Sequence, residues 1–149
     1  GGLYASPAMQ GSRSGAPMAA AWAVMQLLGV EGYTELTRIT VDAARRLAEG
    51  VRAIDGLAVV GEPEAHLLAI RAADPADLDV FAVDDTLRRR GWHLDRQQRP
   101  DSLHATVSAG NAAVIDELLT DLAASVDETQ GHRAEDRGTG YSTVDWRDG

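Results

Sequence analysis

The spacing of apolar residues changes several times between residues 57 and 126, and this alternation restricts the chain to a fold that mixes helices with strands. Short apolar runs bounded by polar or Gly residues predict strands, whereas apolar positions three or four residues apart predict helices. In chain order, the pattern predicts strands at 57–61 and 66–72, a helix at 75–91, strands at 92–96 and 102–108, and a helix at 111–126. The short connections predict a mostly antiparallel sheet with helices on one face, which is an α+β fold.

Two helices are predicted before this alternating region. The run Pro17–Gly29, PMAAAWAVMQLLG, is apolar nearly all round, and such a pattern is typical of a buried helix. Pro17 suits the first turn of a helix, where its missing N–H group has no partner to lose. Residues 34–55 instead carry a single apolar stripe at helical spacing and are followed by Gly56. This second segment is predicted to be a long amphipathic helix.

The chain is therefore predicted to contain four segments. They are a loop and helix at 1–33, a long connecting helix at 34–56, a small α+β domain at 57–126 and a polar tail at 127–149. The tail is rich in Gly and carries two aromatic residues, Tyr141 and Trp146. Two interpretations of it stay open: a disordered tail, or an arm that places these aromatics on a partner subunit or domain.

The composition excludes several classes of function. A formal net charge of −9 argues against a nucleic-acid-binding protein or one bound to anionic membranes. The absence of cysteine rules out disulfides and thiolate chemistry, and no apolar stretch reaches the roughly 18 residues of a transmembrane helix. All 14 basic residues are Arg. Together with the abundant Ala and Gly, this indicates a GC-rich coding sequence and predicts a bacterial, cytoplasmic protein.

Most of the titratable residues have patterns that favour structural roles. The histidines share no metal-ligand spacing with one another or with a carboxylate, so no metal site is predicted; they are His66, His93, His104 and His132. The acidic pairs at 77–79 and 84–85 are predicted to lie on a helix surface. The arginines at 88–90 lie at the end of the same helix, and cations at a helix C-terminus are favoured by its dipole. A solvated helix end is therefore preferred there over an anion site.

The first 15 residues, GGLYASPAMQGSRSG, have a different composition. Hydroxyl and phenol groups, a guanidinium and flexible Gly residues come directly before a helix N-terminus. Oriented N–H groups and the positive end of a helix dipole favour an anion at such a position. The pattern indicates a possible phosphate-binding loop, while a purely structural loop stays open as the alternative.

The stretch Gly1–Tyr33 resembles the segment that follows the cofactor lysine in group II pyridoxal-phosphate-dependent decarboxylases, and particularly in their sphingosine-1-phosphate lyase branch. The family pattern G-G-[IL]-Y-A-S-P, G-S-R-x-G, a helix with a Trp and G-x-x-G-Y is present in register. Downstream, GWHLDRQQRPDSLH at 91–104 is similar to the family's G-W-x-L, Q-x-P and S-[IL]-H pattern. The resemblance covers residues 1–126, with Ser14 at a position where the family often has Pro.

This resemblance implies the fold type I architecture, with pyridoxal 5'-phosphate as the cofactor. Residues 1–33 would end the large cofactor domain, and 57–126 would form the small C-terminal domain. The chain contains no Lys, so the lysine that bonds the cofactor is expected upstream, in a domain of the same protein. We therefore expect a chain that begins in mid-protein and has no activity by itself.

The resemblance also implies roles for individual residues. Ser12 and Arg13 are candidate cofactor-binding residues, with Ser12 reaching the cofactor phosphate of the neighbouring subunit in a homodimer with shared active sites. For Arg13, orienting the loop and pairing with a phosphate or carboxylate both stay open. Tyr4 is the candidate catalytic residue. Ser6 and His104 are weaker candidates near the substrate, and a structural role for His104 stays open.

Three functions remain possible at this stage. The first is a carbon–carbon lyase whose substrate is a small phosphorylated amine. It would cleave this phosphorylated amino-alcohol into an aldehyde and phosphoethanolamine. The second is a glutamate-type or aromatic amino-acid decarboxylase with the same fold. The third is a non-catalytic α+β interaction module. The lysine expected upstream would separate the two enzyme functions from the third.

Overall fold

The computed structural model describes residues 14–138 and divides the chain into two compact units, Gly1–Glu35 and Leu36–Gly149. The helices and strands are α1 (Ala16–Ala53), β1 (Leu57–Val59), β2 (Leu67–Ala72), α2 (Val80–Arg89), β3 (Asp95–Gln97), β4 (Ser102–Thr106) and α3 (Ile115–Thr129). A single 3₁₀ turn, Ala112–Val114, precedes α3. The elements from β1 to α3 follow the predicted order of two strands, a helix, two strands and a helix.

The four strands form one antiparallel sheet in the order β1-β2-β4-β3. Ile70 at its centre is paired with Val59 on one side and with Leu103 on the other. Buried side chains alternate with more exposed ones along β2, where Leu68 and Ile70 are buried and Leu67 is half exposed. The predicted antiparallel α+β fold is therefore confirmed.

The core lies between one face of this sheet and the helices of the second unit. Its largest fully buried side chains are Phe81, Leu47, Leu68, Ile70, Leu87, Leu103 and Leu122. The predicted alternation in β4 is confirmed for Leu103, Ala105 and Val107, which are all buried. Ser102, predicted on the polar face, is also buried, and its hydroxyl donates to the carbonyl of Pro100.

Helix α1 is interrupted at Gly29, whose backbone has φ 59° and ψ −172°. Gly adopts this left-handed φ without the steric cost that a side chain would add. The predicted helix end at Gly29 corresponds to this interruption, but helical geometry resumes immediately after it. Among the described residues, no helix has the length and apolar character needed to span a lipid bilayer.

The first half of α1 does not show the burial that was predicted for it. Trp22 is 62 % exposed and Leu27 is 84 % exposed, and Met18 and Val30 are similarly accessible. An apolar pattern on all sides shows that a helix needs neighbours, but it does not show which part of a protein supplies them. The prediction of burial is therefore wrong for this chain as described.

The polar tail begins later than predicted because α3 continues to Thr129. Residues 130–138, the described part of the tail after α3, contact the rest of the second unit through their arginines. Arg133 donates to the carbonyls of Pro75 and Ala76, and Arg137 pairs with two carboxylates. Residues 130–138 are thus attached to their own domain, while the predicted contacts of Tyr141 and Trp146 lie outside the described residues.

Candidate functional site

Four of the five predicted site residues, Tyr4, Ser6, Ser12 and Arg13, lie outside the described residues. The structure begins immediately after them, at Ser14. The hydroxyl oxygen of Ser14 accepts a hydrogen bond from the backbone N–H of Ala16 at 3.2 Å, in the manner of an N-terminal cap. A helix N-terminus therefore follows the loop directly, as the sequence predicted.

The fifth candidate, His104, lies at the middle of β4 and is half-buried. Its position in the sheet is opposite Asp95 of β3 and Ala69 of β2. Together with Trp92 and His93, it lines a cleft of about 210 Å³ at the end of the sheet. His104 thus has an acidic residue, Asp95, as its cross-strand neighbour.

Hydrogen bonds fix the walls of this cleft. The indole N–H of Trp92 donates to Asp121 at 2.7 Å, which anchors the ring to α3. The side chain of Asn111 accepts from the N–H of Ser108 and donates to the carbonyl of Thr106, so it closes the turn that follows β4. These contacts fix the side chains around His104, but they do not indicate a chemical role for His104. In residues 14–138, no group of three acidic or histidine side chains could hold a metal ion.

A buried ionic cluster between α2 and β3 escaped the sequence analysis. Arg96 is 5 % exposed, and its Nε donates to Asp84 Oδ2 at 2.6 Å. Its remaining N–H groups donate to Asp85 Oδ1, the carbonyl of Phe81 and the carbonyl of Asp136. Burial lowers the pKa of Arg96, but the hydrogen bonds to the two carboxylates outweigh it and hold the pKa above its ordinary value. The guanidinium is therefore permanently charged.

The prediction that the acidic pairs lie on a helix surface is wrong for Asp84 and Asp79. Asp84 is fully buried and Asp79 is 5 % exposed. Asp84 follows Val80 by four residues, so it shares the buried face of α2 with that side chain. The helical spacing could have identified this position, but a charged residue on an apolar face requires a partner that the sequence pattern of α2 alone does not show.

Asp79 is the N-cap of α2. Its Oδ1 accepts from the N–H of Phe81 at 3.0 Å, and its Oδ2 accepts from the N–H of Ala134 and from Arg137. Burial raises the pKa of Asp79, but these hydrogen bonds and the Arg137 charge outweigh burial and hold the pKa below its ordinary value. The carboxylate is thus ionised and joins the start of α2 to the C-terminal segment.

The arginines at the end of α2 connect this helix to its neighbours. Arg88 pairs with Asp84, whereas Arg89 and Arg90 both donate to Glu128 of α3 at 3.0 Å. The hydrogen bonds from Arg89 and Arg90 lower the pKa of Glu128. These residues do lie at the helix C-terminus, as predicted, but their guanidinium groups are committed to ion pairs rather than simply solvated.

The chain shares sequence with known enzymes over most of its length. It is 41 % identical to sphingosine-1-phosphate lyase of Arabidopsis thaliana over 132 residues, which are 89 % of this chain and 24 % of the relative. It is 37 % identical to the Drosophila melanogaster sphingosine-1-phosphate lyase over 82 % of this chain and 22 % of the relative. The chain thus spans about a quarter of the length of these curated relatives. No family model matches it.

Solved structures agree with these sequence relationships. The sphingosine-1-phosphate lyase of Burkholderia pseudomallei superimposes with a TM-score of 0.74 at 36 % identity, covering 85 % of this chain and 28 % of that one. The Oryza sativa enzyme TDC, solved with PLP and tryptamine, superimposes with a TM-score of 0.66 at 20 % identity. It covers 74 % of this chain and 26 % of that one, and at this identity it shows the fold alone.

The fold is that of the pyridoxal-phosphate-dependent enzymes of fold type I, as the resemblance implied. Within this class, the chain matches the C-terminal part of the group II decarboxylase family, and its homologues over most of its length are sphingosine-1-phosphate lyases. The predicted relationship is therefore confirmed. The buried ionic cluster and the cleft beside His104 both belong to the second compact unit, Leu36–Gly149.

The predicted origin, a bacterial and cytoplasmic protein, is contradicted by the relatives. They include sphingosine-1-phosphate lyases of plants, Dictyostelium, Drosophila and yeast. The prediction rested on the use of Arg in place of Lys. The use of Arg in place of Lys is not specific to one kind of organism or to one compartment.

Proposed function

We propose that this chain is the C-terminal part of a pyridoxal-phosphate-dependent carbon–carbon lyase of the sphingosine-1-phosphate lyase type. The observation that supports this most strongly is the 41 % identity to the Arabidopsis lyase over 89 % of the chain. The substrate would be a phosphorylated amino-alcohol, cleaved to an aldehyde and phosphoethanolamine. When bound, the cofactor supplies an electron sink for the bond that breaks at the substrate's amine-bearing carbon.

The donor set of the opening loop fits the phosphate group of this cofactor. Ser12 offers a hydroxyl donor and Arg13 a guanidinium, and charge-assisted hydrogen bonds of this kind suit phosphate oxygens. In our proposal, these two residues hold the cofactor phosphate across a homodimer interface, and the phenol of Tyr4 acts on the substrate side. Ser6 and His104 support the site from greater distance. Because the chain has no Lys, the lysine that bonds the cofactor would come from another part of the protein.

We also propose that the four predicted segments correspond to parts of this architecture. Residues 1–33 would complete the large cofactor domain, 34–56 would connect it to the small domain at 57–126, and 127–149 would supply the last turn of α3 and the tail. The exposure of Trp22 and Leu27 supports this assignment. Exposed apolar surface of this kind is stabilised when another part of the protein covers it.

An amino-acid decarboxylase is the second candidate. It is favoured by the 36 % identity to a probable L-tyrosine/L-aspartate decarboxylase of Methanothrix thermoacetophila. That match spans 95 residues, or 64 % of this chain, compared with 89 % for the Arabidopsis lyase. The lyase is therefore the better-supported function.

The two functions can be separated with the complete protein that contains this chain. Purified enzyme loaded with pyridoxal phosphate would be incubated with sphingosine 1-phosphate, and phosphoethanolamine and aldehyde would be quantified. Parallel reactions would contain tyrosine, aspartate or glutamate, with released CO₂ as the readout. Aldehyde release with little CO₂ supports the lyase, whereas CO₂ release without aldehyde supports the decarboxylase. A protein that retains no pyridoxal phosphate would contradict both.

A further inference from the structure

A cleft of about 310 Å³ lies beside the N-terminus of α2, and none of the residues that line it has been assigned a role in the lyase reaction. Three guanidinium groups line it, from Arg71 of β2 and from Arg133 and Arg137 of the C-terminal segment. Two carboxylates, Asp79 and Asp101, line it as well. All of these residues belong to the second compact unit. The volume is at the lower end of the range of small-molecule sites, which is roughly 300–1,000 Å³.

The charges of this cleft are unequally compensated. Arg137 donates to both Asp79 and Asp101, so the two carboxylates share one guanidinium. Arg71 and Arg133 have no carboxylate within ion-pair distance among the residues that the structure describes. This is notable in a chain with 23 acidic and 14 basic residues. Two arginines that have no ion-pair partner within residues 14–138 therefore line the same cleft.

Backbone carbonyls hold both of these arginines in position. Arg71 Nη1 donates to the carbonyls of Ala72 and Ala73 at 2.7 and 3.0 Å. Arg133 donates through Nη1 to Pro75 at 2.9 Å and through Nη2 to Ala76 at 2.6 Å. Bonds to neutral carbonyls orient a guanidinium but leave its full charge in place. They also leave further N–H groups free of partners among the described residues, since each guanidinium carries five donors.

We propose that this cleft binds the phosphate group of a small phosphorylated molecule, independently of the cofactor site. Two guanidiniums on different elements need a ligand whose acceptor oxygens point in several directions, and tetrahedral phosphate provides these. Planar carboxylate offers only two coplanar oxygens, so it matches one guanidinium better than two. The apolar lining from Ala72, Leu78 and Val80 leaves room for a short organic substituent beside the phosphate.

Binding here would also tighten the C-terminal segment. Arg71 lies on the sheet and Arg133 lies in the segment 130–138, so one phosphate held by both would join the segment to the sheet. Exchange of backbone amides in 130–138 should then slow when phosphate is present, because local opening of the segment would require release of the ligand. This local readout separates the proposed site from binding of phosphate at the cofactor site.

The test uses hydrogen–deuterium exchange on the complete protein, saturated with pyridoxal phosphate, with inorganic phosphate or glycerol 3-phosphate as probes. Sodium chloride and sodium acetate at equal ionic strength are the reference salts. We expect saturable, phosphate-specific protection of 130–138, weakened about tenfold in apparent affinity by Arg133→Gln, because one charge-assisted contact is lost. Arg71→Gln should weaken it similarly. Arg45→Gln, an exposed arginine of α1, should leave it unchanged.

Stronger protection by glycerol 3-phosphate would identify a phosphomonoester site, and equal protection would identify a site for phosphate alone. Protection of the same size in acetate or chloride would overturn the proposal. Unchanged protection in Arg133→Gln would overturn it as well, and this variant changes an exposed side chain, so it should fold even if Arg71→Gln does not. Because the cofactor is saturating throughout, either failure leaves the proposed lyase function untouched.

Discussion

Arg96 of β3 and Asp84 of α2 form an ion pair at 2.6 Å within the core, where neither side chain is more than 5 % exposed. The same guanidinium also reaches Asp136, so it joins the sheet, a helix and the C-terminal segment. Its carbon lies 5.2 Å from the centre of the Phe81 ring, and the guanidinium of Arg137 lies 4.9 Å from the same ring. The buried ring of Phe81 is thus contacted by two cations, one bonded to the tail through Asp136 and the other, Arg137, part of the tail itself.

Replacement of Arg96 by Met should destabilise the protein by about 3 kcal/mol, because the buried carboxylate of Asp84 would lose its main partner. Arg88 still donates to Asp84, which keeps the loss from being larger. Equilibrium urea unfolding measures the effect. The double variant Arg96→Met/Asp84→Leu should recover part of the stability, since the fully buried carboxylate is removed together with its partner and the charges that lose a pair, Arg88 and Asp85, are partly exposed. A single-variant loss below about 0.5 kcal/mol would show that the pair contributes little.

Asp79 gives the stability a defined dependence on pH. Its pKa is lowered in the folded protein from an ordinary value of 3.8, so the folded state favours the ionised form. The contribution of ionised Asp79 to the free energy of unfolding is fully present above the unfolded-state pKa, near pH 4. It is lost as the pH falls through the lower folded-state pKa. Asp79→Asn keeps a capping side chain but removes the charge, so the free energy of unfolding of this variant should fall less steeply than that of the original protein as the pH drops below about 4.

The exposed carboxylate Asp42 provides the control for this comparison. Asp42→Asn should leave the acid dependence close to that of the original protein, because an exposed ion pair contributes little. If Asp79→Asn and the original protein lose stability in parallel on acidification, then Asp79 does not contribute to the acid sensitivity.

The sequence predicted the sheet and its helices well, because apolar spacing is a local property. Leu103, Ala105 and Val107 alternate in the sequence and are buried in the structure. The sequence analysis did not predict the burial of Asp84, Asp79 and Arg96, because burial of a charge depends on a partner from a distant segment. The roles proposed for Tyr4, Ser12 and Arg13 rest on the sequence motif alone and stay predictions, because apolar spacing carries no information about the groups that such side chains bind.

The contacts of the tail were also not predictable from the sequence. Its polar composition left disorder open, yet Arg133 and Arg137 attach residues 130–138 to the carbonyls of Pro75 and Ala76 and to the carboxylate of Asp79. Backbone carbonyl acceptors are not distinguished in a sequence, since every residue has one. Such docking is therefore predictable only once the fold is known.

Gly50 of α1 lies directly against the side chain of Leu119 in α3. A Cβ atom at this position would lie about 3.0 Å from the Cγ of Leu119 and closer still to its methyl groups. Gly50→Ala should therefore destabilise the protein by about 1–2 kcal/mol, even though Ala is the better helix former. Urea unfolding of Gly50→Ala, Leu119→Ala and the double variant tests this. The effects of the two changes on the free energy of unfolding should be strongly non-additive. The double variant should be more stable than the sum of the two single-variant losses predicts.

The exposed apolar side chains of α1 should make the isolated chain bind hydrophobic dyes. Trp22→Gln/Leu27→Gln should reduce the fluorescence of bound anilinonaphthalene sulfonate, because these side chains are 62 % and 84 % exposed. Leu67 is a half-exposed residue of the sheet, and Leu67→Gln serves as the matched control. This variant should change the fluorescence of the bound dye little. In the complete protein, the Trp22/Leu27 double variant should lower the thermal midpoint, since there the side chains would be covered. Equal midpoints would show that this surface stays open.

Ser12→Ala should weaken retention of pyridoxal phosphate by the complete enzyme, if the hydroxyl holds the cofactor phosphate as proposed. Loss of one hydrogen bond to a charged group costs about 1.5–3 kcal/mol, which corresponds to a roughly tenfold to hundredfold rise in the cofactor dissociation constant. Cofactor titration followed by absorbance measures it. Ser14→Ala is the control, because the Ser14 hydroxyl accepts from the backbone N–H of Ala16 and caps α1 instead. That variant should lose helix stability with little change in cofactor affinity, and equal losses of affinity in both variants would show that the loop acts only through its backbone.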